Sequence, residues 1–235
     1  MWQNKSISVV FPAYNEEENI DKAVSDFKKL SVIDELIVVD NNSTDKTAQI
    51  AKTKGAKVIY EKKQGYGYAL RRGMKEAKGD FVVLAEPDGT FNAKDTLKLL
   101  RHIGKFDLVL GTRTNIRYIK KGANMGFLLR FGNILMAKVM QILFWTNSLS
   151  DCGCTLRVIK KDLLQKMLPK MTVGGSHFLP ETVILTSYVG GRIKEIPVRY
   201  GARVGTSKIT GSLPKAVRVG LSMFLLMLKY RFQVR

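Results

Sequence analysis

The chain has 235 residues, 45% of them hydrophobic, and carries 39 Lys and Arg against 20 Asp and Glu, a formal net charge of +19. This length and apolar fraction exclude global disorder and predict one α/β domain with a C-terminal extension. The positive charge favours an anionic partner, either a phosphorylated substrate or an anionic membrane face. A nucleic acid is not expected as a partner, because the aromatic residues lie in apolar stretches rather than among the basic residues.

Short β-branched runs alternate with helical patterns through the first half of the chain. Strands are predicted at residues 6–11, 35–39, 57–60, 81–85 and 108–110, and helices at residues 17–30, 44–54, 67–78 and 94–103. This order implies a parallel sheet with right-handed crossovers. Ser43 or Thr44 is expected to cap the second helix, and Gly55 and Gly79 to end the second and third helices.

The alternation stops after Thr112, where two long apolar stretches follow at residues 125–145 and 213–232. Neither offers the roughly 20 uninterrupted apolar residues of a transmembrane helix, so both are predicted to be interfacial helices with basic ends at the headgroups. The alternative is that they are ordinary core helices. The predicted domains are therefore a catalytic α/β domain at residues 1–211 and an amphipathic, membrane-associated helix at residues 212–235.

The N-terminus and the cysteines bear on location. The first residues are polar and the apolar run after them stops at Pro12, so we expect no signal peptide and a peripheral position on the cytoplasmic face of the membrane. Cys152 and Cys154 are one residue apart, too close for an ordinary unstrained disulfide, and are predicted to be reduced, partly buried thiols.

Polar residues follow the first two predicted strands directly. The first strand runs into FPAYNEE (11–17), where Pro12 is expected to end the strand pairing and the residues after it can hold a base and ribose. The second runs into VVDNNSTDKT (38–47), where Asp40 can accept a hydrogen bond from a base N–H or a ribose hydroxyl. The alternative for both segments is a plain turn with a helix cap.

Two further motifs suggest phosphate and metal chemistry. The glycines of KQGYGYAL (63–70) could let the backbone approach a diphosphate, although such glycines more often only form a turn. In LAEPDGTF (84–91), Glu86 and Asp88 flank one residue at the end of a buried strand, and both could face a divalent cation. An acidic Pro-Asp-Gly turn is the alternative.

In their order and spacing, these four motifs resemble the family 2 glycosyltransferases with the GT-A fold, a mostly parallel Rossmann-like sheet flanked by helices. The resemblance places Glu86-Pro87-Asp88 at the family's Asp-x-Asp motif, with Glu86 departing from the usual first Asp. It implies a Mg²⁺ or Mn²⁺ ion held by Glu86, Asp88 and Thr90. It also implies a nucleotide-sugar pocket formed by Pro12, Ala13, Tyr14, Asn15, Glu16, Val39, Asp40, Asn41, Gly65, Glu86, Pro87 and Asp88.

Motifs of the second half resemble the polyprenyl-phosphate branch of this family, typified by dolichol-phosphate mannose synthases. They are GTR (111–113), RFGN (130–133), DCGCTLR (151–157) and RVGTSK (203–208). A lipid phosphate is already an anion, so arginines rather than a strong base are the expected machinery. Arg117 and Arg130 are the candidates for binding the acceptor phosphate, and Arg203 and Lys208 for binding the donor diphosphate.

Glu181 is the remaining catalytic candidate, either as a general base or, as we favour, as a positioning acid; His177 is expected to pack rather than bind a ligand. The predicted activity is inverting transfer of a sugar from GDP-mannose or a UDP-hexose to polyprenyl phosphate. One alternative is transfer to a saccharide or glycolipid hydroxyl with Glu181 as base, and another is a non-catalytic basic module that binds membrane or nucleic acid. The sugar, the nucleotide base, the lipid length and the oligomeric state do not follow from the sequence.

Overall fold

The computed structural model describes residues 1–204 and 213–233. Its strands are β1 (Ile7–Ala13), β2 (Glu35–Asp40), β3 (Lys57–Tyr60), β4 (Phe81–Leu84), β5 (Leu108–Thr112), β6 (Arg157–Lys160) and β7 (Ile193–Pro197). Its helices are α1 (Glu17–Lys28), α2 (Thr47–Thr53), α3 (Tyr66–Glu76), α4 (Asp95–Leu100), α5 (Phe127–Phe144), α6 (Lys161–Met167), α7 (Phe178–Tyr188) and α8 (Leu213–Gln233). Single 3-10 turns lie at Ile116–Tyr118 and Leu168–Lys170.

The described strands form one sheet in the order β3-β2-β1-β4-β6-β5-β7. The first four strands pair in parallel, as do β5 and β7, whereas β6 runs antiparallel between β4 and β5. All five predicted strands are present, and the prediction of a mostly parallel α/β sheet flanked by helices is confirmed. The two strands that were not predicted, β6 and β7, are only 4 and 5 residues long.

Helices cover both faces of the sheet, so its central strands are buried on both sides. Every residue of β1 is buried, and successive residues point to opposite faces. Val10 packs in the cluster that contains α3, α7 and α8, whereas Phe11 packs in the cluster beside α1. Gly73 lets α3 approach closely, because a Cβ there would lie only 2.3 Å from a methyl of Val10.

Two details of the first strands differ from the predictions. Pro12 does not end β1, which pairs with β2 through Ala13. The reason is that Pro12 faces the side of β4, whose register with β1 stops at Val10, so no ladder bond needs the missing N–H. Neither Ser43 nor Thr44 caps α2, which begins at Thr47; the carboxylate of Asp45 accepts the Thr47 N–H instead.

The structure describes the two glycines that were predicted to end helices and the two cysteines that were predicted to be free. Gly55 follows α2 with a φ of +77°, the left-handed conformation that commonly ends a helix. Gly79 lies beyond the end of α3 and packs against the backbone of Ser8. Cys152 and Cys154 are free thiols, as predicted, but they are fully rather than partly buried.

The two long apolar stretches form α5 and α8, which pack against each other and against α7. Met227 and Tyr230 of α8 are buried in the same core cluster as Met140 of α5. Among the described residues, α5 is the one helix whose length and composition would allow it to cross a membrane, with a mean hydropathy of 1.5 and 11% of its residues buried. The division at residue 211 and the membrane association stay predictions.

Candidate active site

A cavity of about 340 Å³ opens at the carboxyl ends of β1, β2 and β4. This is the edge at which parallel α/β sheets bind ligands. It combines apolar walls with acidic, amide and guanidinium groups. The lining residues are Pro12, Ala13, Tyr14, Glu16, Asn41, Gln64, Tyr66, Ala69, Glu86, Pro87 and Arg203.

The guanidinium of Arg203 bridges two acidic side chains at this cavity. The Arg203 Nη1 atom lies 3.2 Å from Asp88 Oδ2, and the Nη2 atom lies 3.4 Å from Glu16 Oε1. The segment that carries Arg203 is attached to the acidic loop by its backbone, since the Val204 N–H donates to the Asp88 carbonyl at 3.2 Å and the Gly201 N–H to the Thr90 carbonyl at 2.8 Å. Glu16, Asp88 and Arg203, which are far apart in sequence, therefore lie together, and their predicted role in binding the donor stays a prediction.

The Asp88 carboxylate has one hydrogen-bonded oxygen and one oxygen that is paired only with the Arg203 guanidinium. Both the N–H and the hydroxyl of Thr90 donate to Oδ1, at 3.0 and 2.6 Å. Oδ2 is buried and accepts no hydrogen bond from the described residues, but it forms an ion pair with Arg203 Nη1 at 3.2 Å. A buried carboxylate oxygen that faces a cation without a hydrogen bond fits a divalent metal ion, which prefers hard oxygen ligands and would take the place of the guanidinium.

The protein alone does not form a complete metal cage. No group of three or more His, Cys, Asp or Glu residues able to hold a metal occurs in the described part of the chain. Glu86 and Asp88 would therefore share a cation with ligand oxygens, which is how Mg²⁺ is commonly bound beside phosphates. The Thr90 hydroxyl is used by Asp88, so its predicted contact with the metal stays a prediction.

Glu86 is held by two hydroxyl groups. Its Oε1 atom accepts from the Tyr66 hydroxyl at 2.9 Å and from the Thr155 hydroxyl at 2.7 Å. Burial by the surrounding protein, together with the negative charge of Asp88, raises the pKa of Glu86 to about 7. The same burial raises the pKa of Tyr66 above its ordinary value, so its hydroxyl stays a donor at neutral pH.

The remaining predicted pocket residues differ in what they contact. Asn41 lines the cavity and organises the neighbouring loop, since its amide donates to the carbonyls of Glu61 and Lys63 while its oxygen accepts the Gly65 N–H at 2.7 Å. Asp40 is buried and accepts the Ser43 N–H at 3.3 Å. Five predicted residues are not among those that line the cavity: Asn15, Val39, Asp40, Gly65 and Asp88, of which Asp88 contacts the lining residue Arg203.

The predicted phosphate-binding cations lie in different places. Arg117 is exposed on the 3-10 turn before α5. Arg130 lies in the first turns of α5, and its buried Nε atom has no hydrogen-bond partner among the described residues. Neither arginine lines the 340 Å³ cavity. Lys208 lies outside the described residues.

Glu181 is fully buried near the start of α7 and is saturated with hydrogen bonds. Its Oε1 atom accepts from the Thr172 N–H and hydroxyl at 2.8 and 3.0 Å, from the Val173 N–H at 3.1 Å and from the Tyr230 hydroxyl at 2.7 Å. It does not line the cavity. His177 immediately precedes α7, and partial burial lowers its pKa below the usual value.

Sequence reasoning missed several residues of the site. Gln64, Tyr66 and Ala69 line the cavity, and the glycine motif that contains them was the available signal. Arg157 was noted only as part of a motif, yet it is fully buried and donates to the carbonyls of Cys152, Cys154 and Leu179 and to the Thr182 hydroxyl. No carboxylate is among these partners, so Arg157 braces the loop before β6 through neutral acceptors.

The sheet, the cavity at its carboxyl edge and the paired acids define a glycosyltransferase of the GT-A type. Residues 8–168 match the model of Glycosyl transferase family 2. The chain belongs to this family, and the predictions of the family and of a glycosyltransferase are confirmed.

Two relatives, one of them uncharacterized, are similar to this chain over most of its length. The chain is 30% identical over 210 residues to the low-salt glycan biosynthesis hexosyltransferase Agl6 of Haloferax volcanii, covering 87% of this chain and 50% of that protein. It is also 30% identical over 210 residues to an uncharacterized glycosyltransferase of Mycobacterium tuberculosis H37Rv, covering 88% of this chain and 91% of that protein. The chain thus spans only half the length of the Haloferax relative.

Solved structures share the fold. A complex of glucosyl-3-phosphoglycerate synthase from Mycobacterium tuberculosis with Mn²⁺ and UDP-glucose superposes with a TM-score of 0.74 at 21% identity, covering 99% of this chain and 80% of that chain. A complex of the same synthase with Mn²⁺, UDP and phosphoglyceric acid gives a TM-score of 0.73 at 20% identity, covering 97% and 78%. At this identity the likeness establishes the fold.

Proposed function

We propose that the chain transfers a hexosyl group from a nucleoside diphosphate sugar to a polyprenyl phosphate at the cytoplasmic face of a membrane. The observation that carries the donor half of this proposal is the cavity lined by Glu86 and Arg203 at the carboxyl edge of the sheet, with Asp88 paired to Arg203. A cavity of about 340 Å³ falls in the range of small-molecule sites. The solved synthase that shares the fold binds UDP-glucose with Mn²⁺, which supports a donor of this class.

The acids and the arginine have complementary roles in this proposal. Asp88 and Glu86 would hold Mg²⁺ or Mn²⁺, and a metal ion at Asp88 Oδ2 would replace the ion pair with Arg203. A cation bound there neutralises the leaving diphosphate. Arg203 brings a guanidinium to the same place and can pair with diphosphate oxygens through parallel N–H bonds. The site thus stabilises negative charge that develops on the leaving group.

A phosphate acceptor suits a site in which Glu181 is not available as a base. Glu181 is the carboxylate that a hydroxyl acceptor would require, but its Oε1 atom accepts four hydrogen bonds and it lies away from the cavity lining. A lipid phosphate is ionised at neutral pH, so its oxygen can attack the anomeric carbon without losing a proton. Attack from the face opposite the nucleoside diphosphate, whose bond to that carbon breaks as it leaves, inverts the configuration. Arg117 and Arg130 are the proposed phosphate-binding groups, and Arg130 Nε has no partner in the described structure.

The outer surface of α5 and α8 supports a membrane location. Exposed apolar side chains recur at intervals of three, four and seven residues on α5, at Leu128, Phe131, Leu135 and Ile142. Helix α8 exposes Val217, Leu221, Phe224 and Leu225. Neither helix sequence contains an acidic residue, whereas together they carry six Lys and Arg. An apolar face with a wholly cationic rim matches an anionic lipid surface. A second copy of the same face would bring like charges together, which disfavours it as the partner.

The contacts of α5 support a helix that lies along the membrane rather than across it. Ala137 and Met140 are fully buried against the domain. At the C-terminal end, the Ser187 hydroxyl donates to the Phe144 carbonyl at 2.7 Å and the Asn147 amide to the Ile193 carbonyl at 3.0 Å. Crossing a bilayer would break these contacts, so we propose a peripheral association.

The test is a transfer assay with purified full-length protein, Mn²⁺ and radiolabelled UDP-glucose or GDP-mannose, with polyprenyl phosphate in detergent micelles. We expect label to move into the organic phase, with no transfer in EDTA and recovery when Mn²⁺ is restored. The matched control replaces polyprenyl phosphate by the free polyprenol, which has a hydroxyl in place of the phosphate. Equal transfer to the alcohol, or transfer to 3-phosphoglycerate instead of the lipid, would contradict the proposed acceptor.

A further inference from the structure

Oxygen atoms of three side chains, Glu86, Tyr66 and Thr155, meet at the edge of the cavity that Glu86 and Tyr66 line. Glu86 Oε1 lies 2.9 Å from the Tyr66 hydroxyl and 2.7 Å from the Thr155 hydroxyl. The two hydroxyl oxygens are themselves 2.7 Å apart. One oxygen of Glu86 is therefore engaged by two hydroxyl groups, and the carboxylate lies beside that of Asp88.

The two hydroxyls are anchored independently of the loop that carries Glu86. Tyr66 is the first residue of α3, and the Gly67 N–H next to it donates to the Gly174 carbonyl at 2.9 Å. Thr155 is buried in the segment before β6, and the carbonyl of its neighbour Cys154 accepts from the guanidinium of the buried Arg157. Both donors thus belong to the packed body of the domain.

A glutamate at this position has more freedom to lose than an aspartate. Its additional methylene adds one rotatable bond, and freezing that bond opposes the binding of any ligand. Contacts that fix the carboxylate beforehand remove this cost, as residues behind metal ligands commonly do. Glu86 and Asp88 flank a single residue, Pro87, so an oriented Glu86 can face the same ligand as Asp88 Oδ2.

We propose that Tyr66 and Thr155 are positioning residues, whose hydroxyls orient Glu86 so that its carboxylate and that of Asp88 meet the same divalent cation. This inference rests on the proposed metal-dependent transfer and assigns to it two residues outside the acidic motif. It explains how a glutamate can serve at this place, because the longer side chain reaches two hydroxyls that stand ready in the fold.

The test measures Mn²⁺ affinity rather than activity, from the free Mn²⁺ signal in electron paramagnetic resonance, with UDP at saturation and GDP in a parallel series. We expect Tyr66→Phe and Thr155→Val each to weaken Mn²⁺ binding by about tenfold, the range typical for partners of metal ligands. Thr155→Ser, which keeps the hydroxyl, should restore the affinity. In a Glu86→Ala background, Tyr66→Phe should have no further effect, because the hydroxyl acts through Glu86.

Matched controls remove the same chemical groups elsewhere. Tyr60→Phe alters an exposed tyrosine of β3, and Thr53→Val removes a hydroxyl at the end of α2; both should leave Mn²⁺ affinity unchanged. Wild-type affinity in Tyr66→Phe and Thr155→Val overturns the positioning role while leaving the metal site intact. An undiminished Tyr66→Phe effect in the Glu86→Ala background also overturns it. A wild-type chain that binds no Mn²⁺ overturns the metal-dependent function as well.

Discussion

Replacing Glu181 by Gln tests whether this residue is a structural acid or a catalytic base. Glu181 Oε2 lies 3.2 Å from the Val173 N–H, a donor that also contacts Oε1 at 3.1 Å. In Glu181→Gln, an amide NH₂ takes the place of Oε2 when the amide oxygen keeps the Oε1 contacts. Two donors then face each other in a fully buried site, where no water can satisfy the amide.

The expected effect is on stability. An unsatisfied buried donor costs about 1–3 kcal/mol, so we expect about 2 kcal/mol of destabilisation. For a chain of this size, each kcal/mol lowers Tm by about 2–4 °C, which gives a decrease of about 4–8 °C. Below that temperature, transfer should proceed with nearly the wild-type kcat.

The assay combines thermal unfolding, followed by circular dichroism, with steady-state transfer kinetics at 20–25 °C below the measured Tm. Glu18→Gln is the matched control, because Glu18 is exposed on α1 and the same change there should alter neither quantity. If Glu181→Gln instead unfolds at the wild-type temperature and loses about a hundredfold or more in kcat, Glu181 is a general base and not a structural acid.

Four further predictions concern the metal, the acceptor and the membrane. Asp88→Asn should abolish both transfer and Mn²⁺ binding, with Glu86→Ala less severe; full activity of Asp88→Asn in EDTA would remove Asp88 from the metal site. Because the Glu86 pKa is raised to about 7, apparent Mn²⁺ affinity should fall as pH drops below 7, when protons compete for the carboxylate, and the dependence should disappear in Glu86→Gln; an unchanged pH profile would refute this. Arg117→Ala and Arg130→Ala should each raise the KM for polyprenyl phosphate with little change in UDP affinity. A variant that weakens acceptor and UDP binding equally would count against an acceptor role for that arginine. Leu221→Asp, on the exposed face of α8, should reduce sedimentation with anionic liposomes without lowering Tm, and unchanged sedimentation would exclude this face as the membrane contact.

The α/β framework could be predicted from sequence because its signals are local. The central strands are short β-branched runs that end in polar residues, and the helices between them show a clear period. β6 escaped prediction because its four residues include the buried Arg157, whose side chain reads as a surface charge unless its carbonyl partners are known. The position of Pro12 inside β1 likewise depends on where the neighbouring β4 ends, which is tertiary information.

The acidic residues of the candidate site could be predicted from the sequence, but the residues that hold them in place could not. Glu86 and Asp88 lie in a recognisable motif, and Glu16 and Arg203 follow from motifs at either end of the chain. Tyr66 and Thr155 are separated from Glu86 by 20 and 69 positions, and nothing local indicates that their hydroxyls converge on one carboxylate oxygen. The sequence left Glu181 open between two roles, and its four donors in the folded chain favour the structural one.

We expect a lipid phosphate oxygen to receive the sugar with inversion at the anomeric carbon. The most direct measurement is ¹H and ³¹P nuclear magnetic resonance of the purified product formed from an α-linked nucleotide sugar. We predict a phosphodiester whose sugar has the β configuration, with phosphorus coupled to the anomeric proton. A product that lacks this coupling, because the sugar is attached to a hydroxyl, or one that keeps the α configuration, would contradict the account.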